Sequence, residues 1–526
     1  MSSNRFPHLP INRRAALIAS GAAGLLGLHG PALAARQKFV TANNNPYDIL
    51  DPHQTFDIGR IAVRLNMYDA LTRWVDNPPK LEPWLIVKQN ISADGKGYTF
   101  TLKPNVKFHD GTQMTSADVV YSMERILALK KGAYGLFKDV VEPGTTKAVD
   151  PMTVQFTLKS PFAVFMAVLS ELWVVNSAVV KKNEKNGDWG ADWLSKNEAG
   201  SGGYALRRFD PAIGFQATRF EGHFAGWGKN PIDDAEFRVA METATRVLGV
   251  MKGEFNTTDG YLPAEQMARM KENPNIKTWE AESIRTFYFI INHWKAPLND
   301  VNMRKALCYA FDYDGFNEKI LGGTVVRNPG IIPNPMWGAP KDLKGYTYDL
   351  DKAKQHLAQV KNVRPLQIGA MTGYPQSEQA AQMLQAGCAK IGLEVKIVSE
   401  PYTTIAPKLN DRERAHDLIP LWRSAYFADP HNWTGFLFNS GNFDAGNASY
   451  YKNPRVDELC NKALDVTDQE QRRQMYEEVS RILVDEAAGV FINNTKFHGA
   501  FTKNTKSIRF CPIGDAQDIR WIEMEG

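Results

Sequence analysis

The sequence predicts an α/β protein of two or three domains, and three observations carry that expectation. Strand and helix signals alternate along the whole length rather than segregating, which favours an α/β architecture. Residues 365–398 read as one strand-helix-strand crossover, and such a connection joins parallel strands. The chain has 526 residues, too many for one hydrophobic core.

The elements follow in chain order. Asn12-Arg13-Arg14 precedes an apolar run from Ala15 to Leu28, then Ala32-Leu33-Ala34. A positive start, a short apolar segment and an A-x-A site make an export signal cleaved near Ala34. The run is ~14 residues against the ~20 of a membrane span, so it is expected to be removed. The paired arginines point to the twin-arginine route, although Asn12 and Ala16 stand where that motif prefers a hydroxyl residue and an aromatic. Residues 97–130 form the clearest local unit. Tyr98-Thr-Phe-Thr-Leu102 alternates as a half-buried strand, with Asn105–Phe108 expected to continue the pairing. His109-Asp110-Gly111-Thr112 is a turn, and Thr115 with Asp118 opens a helix as a capping box. Val119, Met123, Ile126 and Leu127 give that helix its apolar stripe. A second unit starts at Pro297: Asp300 caps a helix carrying Met303, Ala306, Leu307, Ala310 and Phe311, and Gly322-Gly323 closes it. In the crossover unit, strand 365–371 leads to a helix around 376–390, Gly392 sits at the exit, and Glu394–Val398 is the second strand. Val490 to Trp521 reads as short strands returning to the first half.

Composition excludes several classes. The net charge is +4, and Arg5, Arg13 and Arg14 lie in the export segment, leaving residues 35–526 near +1. Nothing there favours nucleic acid or an anionic membrane. Cys308, Cys388, Cys460 and Cys511 are widely spaced with no C-x-x-C, against metal or redox use; Cys308, Cys388 and Cys460, in helix-like sequence, read as small buried hydrophobes, with one disulfide as the alternative. No cysteine lies near the cleavage site, so no lipid anchor is expected. No G-x-S-x-G, H-E-x-x-H or phosphate loop occurs, and no catalytic residue or cofactor is assigned. His109-Asp110 reads as structural, Arg304 as a structural ion-pair partner, and Gly200-Ser-Gly-Gly as a tight turn.

Several blocks stand in order along the chain: Leu50-Asp51-Pro52; Phe108-His-Asp-Gly111 with Ala117, Asp118, Val119 and Ser122; Gly200-Ser-Gly-Gly-Tyr204; Pro297, Asp300, Arg304, Ala306, Ala310 and Asp312; and Trp422 with Asp429-Pro430. Together they resemble the extracellular solute-binding proteins of family 5, the peptide- and nickel-type binding proteins of ABC importers. The resemblance implies a bilobal type II periplasmic-binding-protein fold with an extra subdomain inserted in lobe I. The boundaries expected are 1–34 export signal, 35–75 lobe I, 76–199 inserted subdomain, 200–292 lobe I, 293–492 lobe II and 493–526 lobe I return. Phe287–Asn292 suits the outgoing crossover strand.

The expected ligand site lies in 417–437, where a short apolar strand feeds a loop rich in aromatics and carrying one arginine. Ligands gather at the carboxyl ends of strands in α/β lobes. Trp and Tyr offer flat surfaces with polar tips, and Arg grips a carboxylate with two bonds. Trp422, Arg423, Tyr426 and Trp433 are the candidates; the competing reading puts some of these aromatics in the lobe interior. Peptide-binding members of the family place an aspartate a few residues after the tryptophan, where this chain has Ala425 and Tyr426. Peptide is nevertheless the leading ligand class, with opine, oligosaccharide, organic acid or nickel chelate (through His431) as alternatives. The resemblance implies a monomeric periplasmic partner of inner-membrane ABC permease subunits and no enzyme; a secreted hydrolase or a periplasmic chaperone is the rival class.

Overall fold

Two long strands organise the computed structural model, which describes residues 36–525 except 45, 46, 261, 444, 445, 515 and 516. Residues 1–34, where the sequence leads one to expect an export signal, lie outside these residues. The strands are Ile276–Ile291 and Gly489–Thr502, 16 and 14 residues long, paired antiparallel along most of their length. At ~3.3 Å per residue the longer one reaches ~50 Å, enough to serve two separate cores. Near the Lys277–Phe501 end the sheet continues through Thr257–Thr258, Lys38–Asn43, Asp234–Val239, Gly214–Arg219 and Tyr204–Asp210. Near the other end, residues 286–291 pair with Leu418–Arg423, followed by Leu366–Met371 and Val395–Glu400. The ladder shifts register between Ala281 and Arg285, so a bulge separates the two strand groups and re-aims the side chains beyond it. The result is a bilobal α/β fold.

The crossover unit forms as its sequence predicts. Leu366–Met371 and Val395–Glu400 are parallel, joined by the helix Pro375–Lys390, and Gly392 takes φ 82° at the exit. A separate antiparallel sheet of Ile86–Ile91, Gly97–Leu102, Thr153–Thr157 and Lys147–Asp150 shares a core with the helix Ser116–Leu129, whose Val119, Met123, Ile126 and Leu127 are buried. Thr115 and Asp118 close the capping box, the Thr115 amide donating to Asp118 Oδ2 at 2.9 Å. The segment 105–108 does not extend the sheet. Asn105 turns the chain at φ 61°, and Lys107 makes only an isolated bridge to Gln113.

Two further readings change. The helix capped by Asp300 ends at Ala310, and Gly322-Gly323 closes a separate helical turn, Gly315–Ile320. The stretch after Val490 opens with one long strand, ending at Thr502, where short ones were expected, and the short strand Thr505–Ser507 follows it. Asn493-Asn494-Thr495 looks like a polar break, yet Asn493 Nδ2 donates to Asn317 Oδ1 at 2.9 Å and Asn494 Nδ2 to the Arg285 carbonyl at 3.1 Å. With partners in place, polar side chains do not end a strand.

The blocks of the family pattern have structural roles. Asp51 and Arg125 form a fully buried pair, with Arg125 Nη1 and Nη2 donating to the two carboxylate oxygens at 2.8 and 2.6 Å. His109 joins Glu198 Oε1 at 2.8 Å and the Gly202 carbonyl at 2.9 Å. A Cβ on Gly200 would lie 1.8 Å from the Met67 carbonyl oxygen, and one on Gly202 2.5 Å from that of Asn66, so only glycine lets this turn pack on the end of Ile61–Met67. Arg304 is structural but not as half of an ion pair: Nε and Nη2 bond the Glu486 carbonyl at 3.1 and 2.9 Å. It thereby places positive charge at the carboxyl end of Gln469–Asp485. All four cysteines are free thiols, each pushed up to about 12 by burial. Among the described residues no helix is long and apolar enough to cross a membrane.

Candidate functional site

The strand Leu418–Arg423 is buried over its first half and opens at its carboxyl end into a cavity of about 460 Å³. One wall comes from residues 54–60, with Phe56, Asp57 and Arg60. The opposite wall comes from Tyr402, from Leu421 to Ser424 with Tyr426, and from Phe436; Arg285 and Tyr288, just past the bulge, form the floor. The walls meet where Phe56 stacks on Tyr426, with ring centroids 3.8 Å apart, and where the Tyr426 hydroxyl donates to the Phe56 carbonyl at 3.1 Å.

Three of the four sequence candidates converge on this space. Trp422 is half-buried, its ring tilted against Phe287 and Tyr374 at 4.8 and 6.0 Å, and the Arg285 guanidinium lies 5.9 Å from its centroid. The Arg423 guanidinium sits 4.9 Å from both the Tyr426 and the Phe436 rings. Its hydrogen-bonded partners are Asn432 O and Oδ1, each at a long 3.5 Å, and its Nε is buried without one. Burial pulls its pKa below the usual arginine value. Trp433 is the correction. It is 0 % exposed in the core that holds Tyr451, Tyr476 and Leu483, because the turn Pro430–Asn432, capped by Asp429, carries the chain away from the strand end.

Asp429 and His431 also lie outside the cavity wall. Asp429 Oδ1 accepts from Arg472 Nη2 at 2.9 Å and from the His431 amide at 2.9 Å. His431 is buried against the Tyr476 hydroxyl at 3.3 Å, so the imidazole that supported a nickel chelate does not face the cavity. Sequence reasoning missed Phe56, Asp57, Arg60, Arg285 and Tyr402, and did not single out Phe436 within 417–437. Three left a weak signal: Phe56-Asp57 follows Leu50-Asp51-Pro52 closely, and Arg285 stands just before the apolar run Phe287–Ile291.

A bilobal α/β protein with an aromatic, arginine-bearing cavity where the two strand groups meet has the architecture of a solute-binding protein. The model of the bacterial extracellular solute-binding proteins, family 5, matches residues 80–445, and this chain belongs to that family. Among its relatives is the "Probable D,D-dipeptide-binding periplasmic protein DdpA" of Escherichia coli strain K12, 32% identical over 476 residues, covering 88% of this chain and 90% of that one. The dipeptide-binding protein of the same organism is 28% identical over 480 residues, covering 86% and 88%. Among solved structures, the Helicobacter pylori periplasmic binding protein DppA in complex with the peptide STSA superposes with a TM-score of 0.85 at 24% identity, covering 93% of this chain and 99% of that one.

Proposed function

We propose that this protein is the periplasmic solute-binding subunit of an ABC importer, that it captures small peptide-like solutes in the 460 Å³ cavity, and that Trp422, Arg423 and Tyr426 contact them. It binds its solute reversibly as a monomer, makes no bonds, and hands the solute to membrane permease subunits. Residues 1–34 would direct export. The boundaries near 75, 199, 292 and 492 would divide the two lobes and the inserted subdomain.

The single observation that carries this reading is the cavity itself, enclosed by residues far apart in sequence and lined by rings plus arginines. Its volume is that of a site for a small organic solute. A ligand touching both walls stabilises the shut arrangement, because only contacts absent from the open form shift the population. The Phe56–Tyr426 stack adds ~1 kcal/mol to closure, so closing depends on more than the ligand.

A thermal-shift screen over dipeptides, oligosaccharides, opines and metal chelates tests the proposal. A dipeptide at ~100 times its Kd should stabilise the folded protein by ~2.7 kcal/mol, and the melting temperature should rise with log concentration. Stabilisation by sugars or chelates alone contradicts the peptide assignment. Turnover of a bound peptide or ester contradicts the non-enzymatic one.

A further inference from the structure

One charged side chain on the cavity walls, Arg423, lacks a carboxylate partner among the described residues, and it describes the solute. Four charged side chains line the space: Asp57, Arg60, Arg285 and Arg423. The only carboxylate among them is already engaged at both oxygens. Asp57 Oδ1 accepts from the Arg60 amide at 2.9 Å and Oδ2 from Arg60 Nη1 at 2.9 Å. Arg60 is itself held by Asp48 through Nε and Nη2 at 2.6 and 3.0 Å. That group of three is closed on itself and offers little to a ligand ammonium.

Arg423 is the reverse case. No carboxylate lies within 4 Å of it among the described residues; the ionisable groups acting on it are the phenols of Tyr426, Tyr288 and Tyr402. Its Nε is buried and unpartnered, and its two contacts at Asn432 are at the limit of hydrogen bonding. A guanidinium held between two rings without a counter-ion is costly until an anion arrives, and its planar fork suits a carboxylate. Ala425, close behind it, is fully buried and apolar.

Resting on the binding role proposed above, we infer that the solute is a carboxylate held by Arg423 whose nitrogen end needs no free ammonium: an N-acylated or N-alkylated amino acid or dipeptide. The carboxylate lies against the strand end at Arg423, and the blocked nitrogen meets the aromatic wall, where an acyl or alkyl group is buried favourably. A primary ammonium there would lose its water without gaining a carboxylate.

The test uses the full mature chain and dipeptides with each of the twenty residues at either end, each prepared free, N-acetylated and C-amidated, and followed by thermal shift and calorimetry. For the best binder, N-acetylation should leave the affinity unchanged or raise it, while C-amidation should weaken it by about 30-fold, the worth of a charge-assisted bond. Arg423→Gln should weaken the carboxylate forms by about the same factor and leave the amides unchanged. The wild-type comparison needs no variant, so a folding defect in R423Q does not blunt it. If N-acetylation abolishes binding, or C-amidation is tolerated, the inference is overturned while the peptide-binding reading stands. If no dipeptide in any form stabilises the protein, the reading beneath it falls as well.

Discussion

Asp51→Ala lowers the unfolding free energy by about 3–5 kcal/mol, the cost of stranding a buried charge. Neither Asp51 nor Arg125 has any side-chain exposure. Removing the carboxylate leaves a guanidinium with only the Trp189 carbonyl, at 2.8 Å, and the His53 ring, at 3.0 Å, as partners. Arg125 sits on the helix that opens with Thr115, and Asp51 on the segment leading to the Phe56–Arg60 wall, so the pair fastens that wall to the smaller sheet. The measurement is the midpoint of urea unfolding, followed by the helix signal. Replacing both partners, as in Asp51→Leu with Arg125→Met, should cost less than either single change, since no charge is then left unpaired. A loss below ~1 kcal/mol for the single variant would show the pair to be dispensable.

Acid unfolding gives the second large effect. Burial pulls His53 down to about 4, and His293 and His431 each to about 3. His53 shows why the proton is refused. Nε2 donates to the Trp173 carbonyl at 2.8 Å, while Nδ1 can only accept from Arg125 at 3.0 Å. A second proton would face the guanidinium. Unfolded histidine titrates near 6.5, so from about pH 6.5 down to about 4 the unfolded chain binds protons that the folded one does not. Stability therefore falls with pH in that window, by ~2 kcal/mol per group at pH 5. His223, also lowered by burial, adds to the fall. His109 opposes it: burial lowers this group too, but the Glu198 carboxylate and the Gly202 carbonyl outweigh burial and hold it above its usual value. Its stabilisation is complete below pH 6.5 and lost as pH rises through its folded value. The net expectation is a marked drop in the unfolding midpoint between pH 7 and pH 5, made shallower by His293→Gln. Equal midpoints at the two pH values would mean these imidazoles are not buried neutral.

The strand-end rule located one wall of the cavity in the sequence, because Leu418–Arg423 is short, apolar and followed at once by aromatic and cationic side chains. The same density of aromatics could not say which ring turns inward. Trp422 and Trp433 are equivalent on paper, and only the turn capped by Asp429 separates a cavity ring from a core ring. The other wall, Phe56 to Arg60, and the floor at Arg285 reach the site through tertiary contacts between residues more than 100 positions apart, and the weak local signals at Phe56-Asp57 and Arg285 do not show that they meet Trp422. The crossover unit was legible because its apolar strands flank a helical pattern that ends at Gly392, which takes the positive φ of a helix exit. The long strand through Asn493 and Asn494 was not, since its polar side chains find partners only in the folded protein.

The central claim is that a solute is held between the Phe56–Arg60 segment and the end of the Leu418–Arg423 strand. The most direct measurement is the ligand-induced rise in melting temperature for the wild type, Trp422→Ala and Arg423→Ala, each with the same stabilising compound from the screen. Both variants should fold, with unliganded midpoints close to the wild type, and both should lose most of the rise. Variants that keep the full wild-type shift would place the binding site elsewhere in the molecule.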